Sequence, residues 1–380
     1  VGDSLLRQNV ADCTKLQGDV ESMDEKEWRD EAVGIILGAT VLLGDDPWLL
    51  GSGEGPMAAR SALSTTLAPL YSSYVTARVQ MAKMEEHYIT LHQADLDEVR
   101  EEISATDLEE EMSSASSLGR VNVHSALVCL GGLLQQCLSS LKLLFESVGT
   151  NGTTQEVTPD VAALLEEARL LLLCVCHLLT DDNAGETPMI PEAIVRASSV
   201  SESPSAYETC HAITSLVSSL MSLAEFQASK VTQFPADPRL SPLLAKTLLW
   251  FFHRWAPAYV LPSTVEYNAS GSGENGVLSI WNSGESSQQA VALCISLCLH
   301  YHCSWPQEKQ VQEEAASLLL ALSKRGKPMR SVLVQTPSFC QLVSLHAITA
   351  GIRHNAAQLE VETAIAAFPG LQGSPTPPTN

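Results

Sequence analysis

CISLCLHYHC, residues 294–303, sets three cysteines and two histidines in one short run, and the fold turns on whether that run wraps a metal or is simply a helix. In a helix, Cys294, Cys298 and His302 stand four residues apart and share one stripe, so two or three of them could grip a zinc ion. Against this, Val291, Ile295 and Cys298 lie on one apolar face, while His300 and Cys303 project elsewhere. No C-x-x-C supplies the tight turn of a structural zinc site. Free cysteine is also a common core residue. The run therefore reads as a buried helix in which Cys294 and Cys298 pack against neighbouring helices, with His300, Tyr301, His302 and Cys303 marking its end before Trp305-Pro306. No metal and no cofactor is expected. CVCH at 174–177 is weaker still, because Cys174 and Cys176 face nearly opposite sides of a helix.

The helical reading extends outward from this run. Apolar residues recur at helical spacing over about 24–43, 57–103, 119–147, 158–180, 205–230, 240–255, 286–303, 307–324, 331–352 and 354–367. Turn-forming segments separate them, among them GDDP at 44–47, GTNGTT at 149–154, DDNAGETPMIP at 181–191, FPADP at 234–238 and NASGSGENG at 268–276. No strand pattern competes over more than a few residues. An apolar content of 45% with only 5% aromatics also favours helices. At 380 residues the chain exceeds the size at which a single core usually keeps growing. Paired helices joined by short turns point to an all-α superhelix, an α-solenoid with the ~40–47-residue period of HEAT or armadillo arrays, although no motif repeats in the letters. The expected organisation is one continuous array over 1–367, with an acidic segment at 85–111 and a flexible Pro-rich tail at 368–380.

The formal charge of −22 disfavours direct nucleic-acid binding and suits a basic protein partner. No uninterrupted apolar run reaches the ~18–20 residues that span a bilayer, the nearest being LLLLCVCHLL at 170–179, so membrane insertion is not expected. VGDSLLRQNV carries no initiator Met and no signal-peptide pattern, and the chain reads as part of a longer one. Ten cysteines without a secretory signal read as reduced thiols, and the sequons at Asn151 and Asn268 read as chance matches.

Residues 85–111 hold eleven acids against Arg100. Leu96, Val99 and Ile103 recur at helical spacing, so the stretch reads as an amphipathic helix running into an acidic loop. Its plain reading is a solvated face. Its sharper reading is a docking surface for a basic protein partner, built from Asp95, Asp97, Glu98, Glu101, Glu102, Asp107, Glu109, Glu110 and Glu111.

Catalytic patterns are poor. GSGENG at 271–276 fits G-x-G-x-x-G, but the following VLSIW does not read as a helix start, and GSGEG at 51–55 lacks the Lys-Ser/Thr end of a phosphate loop. No G-x-S-x-G elbow and no H-E-x-x-H pair occurs. An enzyme is not expected.

Two blocks carry a family likeness. In LLTDDNAGETPMIPEAI, residues 178–194, an acidic pair, Asp181-Asp182, precedes Gly185-Glu186-Thr187-Pro188 and Ile190-Pro191. In LLWFFHRWAPAYVL, residues 248–261, Trp250 and Trp255 bracket Phe251 and Arg254, with Ala256 and Tyr259 following. With these blocks the chain resembles the exportin-4 family of nuclear export receptors, within the importin-β superfamily. Weaker similarity runs through SLGR at 117–120 and on to about residue 352.

The resemblance implies a HEAT-repeat receptor that carries protein cargo through the nuclear pore with Ran bound to GTP, shuttling between nucleus and cytoplasm and meeting nucleoporins. It implies basic cargo such as translation initiation factor 5A or Smad-type proteins, and import of some Sox-type factors. The main Ran contact would fall in parts of a longer parent chain. The matched residues have a structural reading as well: Pro188 and Pro191 fix a corner, Trp250 and Trp255 bury apolar area between repeats, and Arg254 meets helix carbonyls or an acid. The alternative function is a generic HEAT scaffold indifferent to Ran.

Overall fold

The computed structural model describes residues 34–35, 38–39, 53–92, 105–147, 157–181, 187–199, 203, 205–262, 276–282 and 284–347. Its main helices are α1 (Glu54–His92), α2 (Ala105–Arg120), α3 (Val123–Ser147), α4 (Pro159–Leu179), α5 (Glu192–Ser198), α6 (Ala206–Gln233), α7 (Pro242–Tyr259), α8 (Val277–Ile280), α9 (Gly284–Ser304), α10 (Lys309–Lys324) and α11 (Lys327–Gln335). A last helix, α12, covers 337–347. Among the described residues there is no strand, only one antiparallel bridge between Asp181 and Met189.

Capping chemistry sets several boundaries. Asn122 accepts the Ser125 N–H at 3.1 Å and starts α3, so the chain breaks between α2 and α3. Thr158 caps α4 and Ser241 caps α7, each followed by a proline whose missing N–H costs nothing in a first turn. Pro257 lies inside α7, but in its last turn, where only one intrahelical bond is forfeited.

The helices form two rows. α3, α6 and α9 stack in order, and α4, α7 and α10 stack beside them. α1 and α2 cover the remaining side of α4, and α11 follows α10. This is an all-α helical repeat solenoid. Its rungs are long: first-row helices begin at Val123, Ala206 and Gly284. That spacing is about twice the ~40–47 residues of an ordinary repeat. The extra length sits in α3 and α6, of 25 and 28 residues, and in connectors that carry α5 and α8.

The core runs along the rows. α7 is buried around most of its circumference, from Leu244 through Phe251, Phe252 and Trp255 to Tyr259, because α4 and α10 flank it. Phe251 and Phe252 meet edge to face at 5.1 Å between centroids, and Trp255 meets Trp281 likewise at 5.0 Å. Each such ring contributes ~1.5–3 kcal/mol by burial.

Several expected boundaries are corrected. Residues 105–111 are helical and open α2 rather than forming a loop, since Leu108 and Met112 place an apolar stripe against the core. α5 was not foreseen. The 331–352 helix divides at Thr336, whose N–H bonds to Leu333 O at 3.1 Å before Pro337 starts a new helix. VLSI does form one helical turn, α8. α3 is long and apolar enough, by length and composition, to cross a membrane, although Gly, Ser and Gln interrupt its apolar run. Here it packs through Leu127, Leu130, Leu134 and Leu141. The expected helices at 24–43 and 354–367 fall almost wholly outside the described residues, as do the sequons and the 368–380 tail.

Candidate functional site

The two distant blocks and SLGR meet at the C-terminal end of α4. Helix ends leave carbonyls without intrahelical partners, and a buried end must find donors. Arg120, the last residue of α2, reaches into this end. Its Nε donates to Leu178 O at 3.3 Å, and its NH2 donates to Thr180 O at 3.4 Å and to His177 O. The remaining carbonyl, Leu179 O, accepts the Tyr259 hydroxyl at 2.7 Å. All four carbonyls from 177 to 180 are thus read by two side chains, and the guanidinium also complements the helix dipole.

Arg120 also pairs with Asp181 at 2.6 Å. Asp181 and Met189 exchange both backbone bonds at 2.9 Å, an isolated antiparallel bridge. Thr187 is exposed, Pro188 and Ile190 are half-buried, and Pro191 is buried where it precedes α5. Asp182, Gly185 and Glu186 lie outside the described residues. Gly119 permits the approach of α1: a Cβ there would lie 2.9 Å from two Tyr71 ring carbons and 3.2 Å from Leu178 Cδ1.

On the α7 side, the Arg254 guanidinium lies over the Trp250 ring at 4.7 Å, and His177 meets the same ring at 5.6 Å. Burial, then the nearby Arg254 and Arg120 charges, hold the His177 imidazole neutral, with its pKa down to about 3. Trp255 and Tyr259 stack at 6.0 Å inside the core. The matched residues described here therefore build a corner between repeats.

The acidic run divides. Asp95, Asp97, Glu98, Glu101 and Glu102 lie outside the described residues, and Asp107 and Glu109 are placed only by their backbone in α2. Glu110 is exposed. Glu111 turns inward: it accepts the Tyr74 hydroxyl and lies 3.4 Å from Arg78. It serves the α1–α2 contact while remaining partly exposed. Burial and the Glu111 charge hold the Tyr74 phenol protonated.

A second surface feature is a cleft of ≈ 320 Å³ between α6 and α9. Ala228, Leu293 and Leu297 form its apolar floor, and Glu225, Ser229, Thr232 and His300 line it. The Thr232 hydroxyl donates to Ala228 O at 2.8 Å, so toward His300 Nδ1, also at 2.8 Å, it accepts. His300 then carries its proton on Nδ1. Glu225 is exposed at its rim.

In the cysteine-rich run, Cys294 and Cys298 are buried in α9, and the Cys298 thiol donates to Ala315 O at 3.6 Å. Burial pushes the Cys294 and Cys174 thiols up to about 12 and raises Cys298 as well. His302 Nδ1 pairs with Gln312 Oε1 at 2.8 Å, while Gln312 Nε2 donates to Tyr301 O and Trp305 O at 3.1 and 3.0 Å. Gln312 thereby closes the end of α9 as Arg120 closes α4. Among the described residues no set of three His, Cys, Asp or Glu side chains could hold a metal, and every described cysteine is a free thiol. The only described residue of GSGENG is Gly276, and the Val277 N–H beyond it donates to Ser198 Oγ at 3.4 Å.

Comparison with known proteins decides the family. The Exportin-4 family model matches residues 60–362, which is most of the chain and includes SLGR, both blocks and the two helical rows. The chain belongs to the exportin-4 family. A curated relative, Exportin-4 of Dictyostelium discoideum, is 21% identical over 353 residues, covering 86% of this chain and 28% of its own length. The exportin-4 match brings together residues whose roles the corner explains. Arg120 is the one that the motifs did not single out, and the only signal was its place at the end of SLGR.

Proposed function

We propose that this chain is a segment of a nuclear transport receptor, an exportin, that carries protein cargo on a helical-repeat surface and shuttles between nucleus and cytoplasm through the pore. The complex is Ran-GTP-dependent, with Ran engaged mainly by other parts of a longer parent chain. The chain works by binding rather than catalysis. The observation that supports this reading is the family match over residues 60–362, which falls on the two-row solenoid.

The cargo is a basic protein, of the translation initiation factor 5A or Smad type, and nucleoporins are further partners. The formal charge of −22 favours such cargo by long-range attraction. Exposed acids such as Glu110 and Glu225, together with the acids of 95–109, supply the local charge.

The test measures cargo affinity of the full-length parent with and without Ran-GTP. Tighter binding with Ran-GTP, and weakening by Glu225→Lys or rising salt, is expected. Equal affinity in both states would point instead to a HEAT scaffold indifferent to Ran.

A further inference from the structure

The chain carries 44 acids against 22 bases, yet residues 315–359 hold no aspartate or glutamate. Within that acid-free stretch, KRGKPMR at 324–330 sets four cations at one corner of the solenoid, where Gly326 joins α10 to α11. Lys324, Lys327 and Arg330 are exposed, and Arg325 is half-buried. Lys327 and Arg330 stand three residues apart and share a face of α11, which Val334, 64% exposed, extends by one turn. On α10, Leu320, 53% exposed, stands one turn before Lys324. The corner therefore flanks exposed cations with two exposed apolar side chains.

Cations elsewhere in the described residues commonly meet a carboxylate, as Arg78, Lys83, Arg120, Arg169 and Arg239 do, while Lys230 and Arg254 lie over aromatic rings. An excess of acids makes that the ordinary outcome. Among the described residues no ion pair engages Lys324, Lys327 or Arg330.

We infer that this corner docks a short acidic, amphipathic segment of a protein partner, with its carboxylates on Lys324, Lys327 and Arg330 and its apolar side chains against Leu320 and Val334. Charge complementarity selects the acid. A short segment feels the field only within a Debye length of ~8 Å, where the local cations outweigh the distant acids. A long nucleic acid is repelled by the formal charge of −22, and residues 320–335 contain no aromatic ring on which a base could stack. The surface is opposite in sign to the one that suits basic cargo, and a scaffold indifferent to Ran would carry it equally, so it stands apart from the transport reading.

Fluorescence anisotropy on the full chain tests this, with a labelled Glu-rich peptide carrying two leucines, the same peptide with Gln for Glu, and an oligouridine of matched charge. The Glu-rich peptide should bind at least ~10-fold more tightly than either of the others. Lys324→Glu, Lys327→Glu and Arg330→Glu together should weaken it by at least ~10-fold, and Leu320→Ser with Val334→Ser by at least ~3-fold. Lys309→Glu, an exposed change at the other end of α10, should alter it by less than ~2-fold. All these positions are exposed, so the substitutions leave the core intact. No binding of the Glu-rich peptide, undiminished affinity in the charge-reversed chain, or equal or tighter binding of the oligouridine would overturn the inference.

Discussion

Arg120 and Asp181 are joined at 2.6 Å across the end of α4, and the same guanidinium reads three of that helix's last carbonyls. One side chain thus ties α2 to α4 and to the connector that leads to α5.

Removing it should be costly. Arg120→Ala leaves helix carbonyls without donors in a largely buried place, and a loss of about 2–4 kcal/mol is expected. Arg120→Lys should recover less than half, because an ammonium cannot span the same acceptors. Asp181→Asn should cost about 1 kcal/mol or less, since Asp181 is half exposed. Urea unfolding of the three variants measures the order.

Gly119 predicts a rescue. Gly119→Ala should destabilise by about 1–3 kcal/mol, because its Cβ would meet the Tyr71 ring at 2.9 Å. Tyr71→Phe should not relieve this, as the atoms in the way are ring carbons. Tyr71→Leu in the Gly119→Ala background should cost less than the sum of the two single changes, which a double-mutant cycle reads directly.

Stability should fall on mild acidification through His177. Its pKa is about 3 in the folded chain and ~6.5 when unfolded, so below about pH 6.5 the unfolded state binds a proton that the folded state refuses. Stability then declines with falling pH, by up to ~1.4 kcal/mol per unit down to about pH 3. The window between pH 6.5 and 5 isolates this group from most carboxylates. Unfolding free energies at several pH values should show a shallower slope there for His177→Gln, and an identical slope would reject the assignment.

Thiol labelling should separate the cysteines by burial. Exposed Cys303 and Cys340 should react with a maleimide in the native chain, whereas Cys174, Cys294 and Cys298 should react only on unfolding, since the thiolate is the nucleophile. A chelator should leave the melting temperature unchanged. A fall of several degrees would revive a metal role for Cys294, Cys298 and His302.

Much of this architecture was legible in the letters. The apolar spacing of α4, α6, α7, α9 and α10 placed those helices within a few residues, because burial of one stripe repeats every turn. The α2 boundary was not legible, since the dense acids of 105–111 mask an apolar stripe that only the core reveals. The α6–α9 cleft was equally invisible. Its walls are 225–233 and 293–300, and only stacking brings them side by side.

What the sequence by itself determined is the helical class, the negative charge and the family, because periodicity, composition and two motif blocks are local properties of the chain. What tertiary structure alone decided is the use of each charged group. Glu110 and Glu111 are adjacent letters, yet a 100° step around α2 leaves one in solvent and sets the other between Tyr74 and Arg78. Arg120 likewise became a helix cap because folding laid the end of α4 beside it, a proximity that no local pattern encodes.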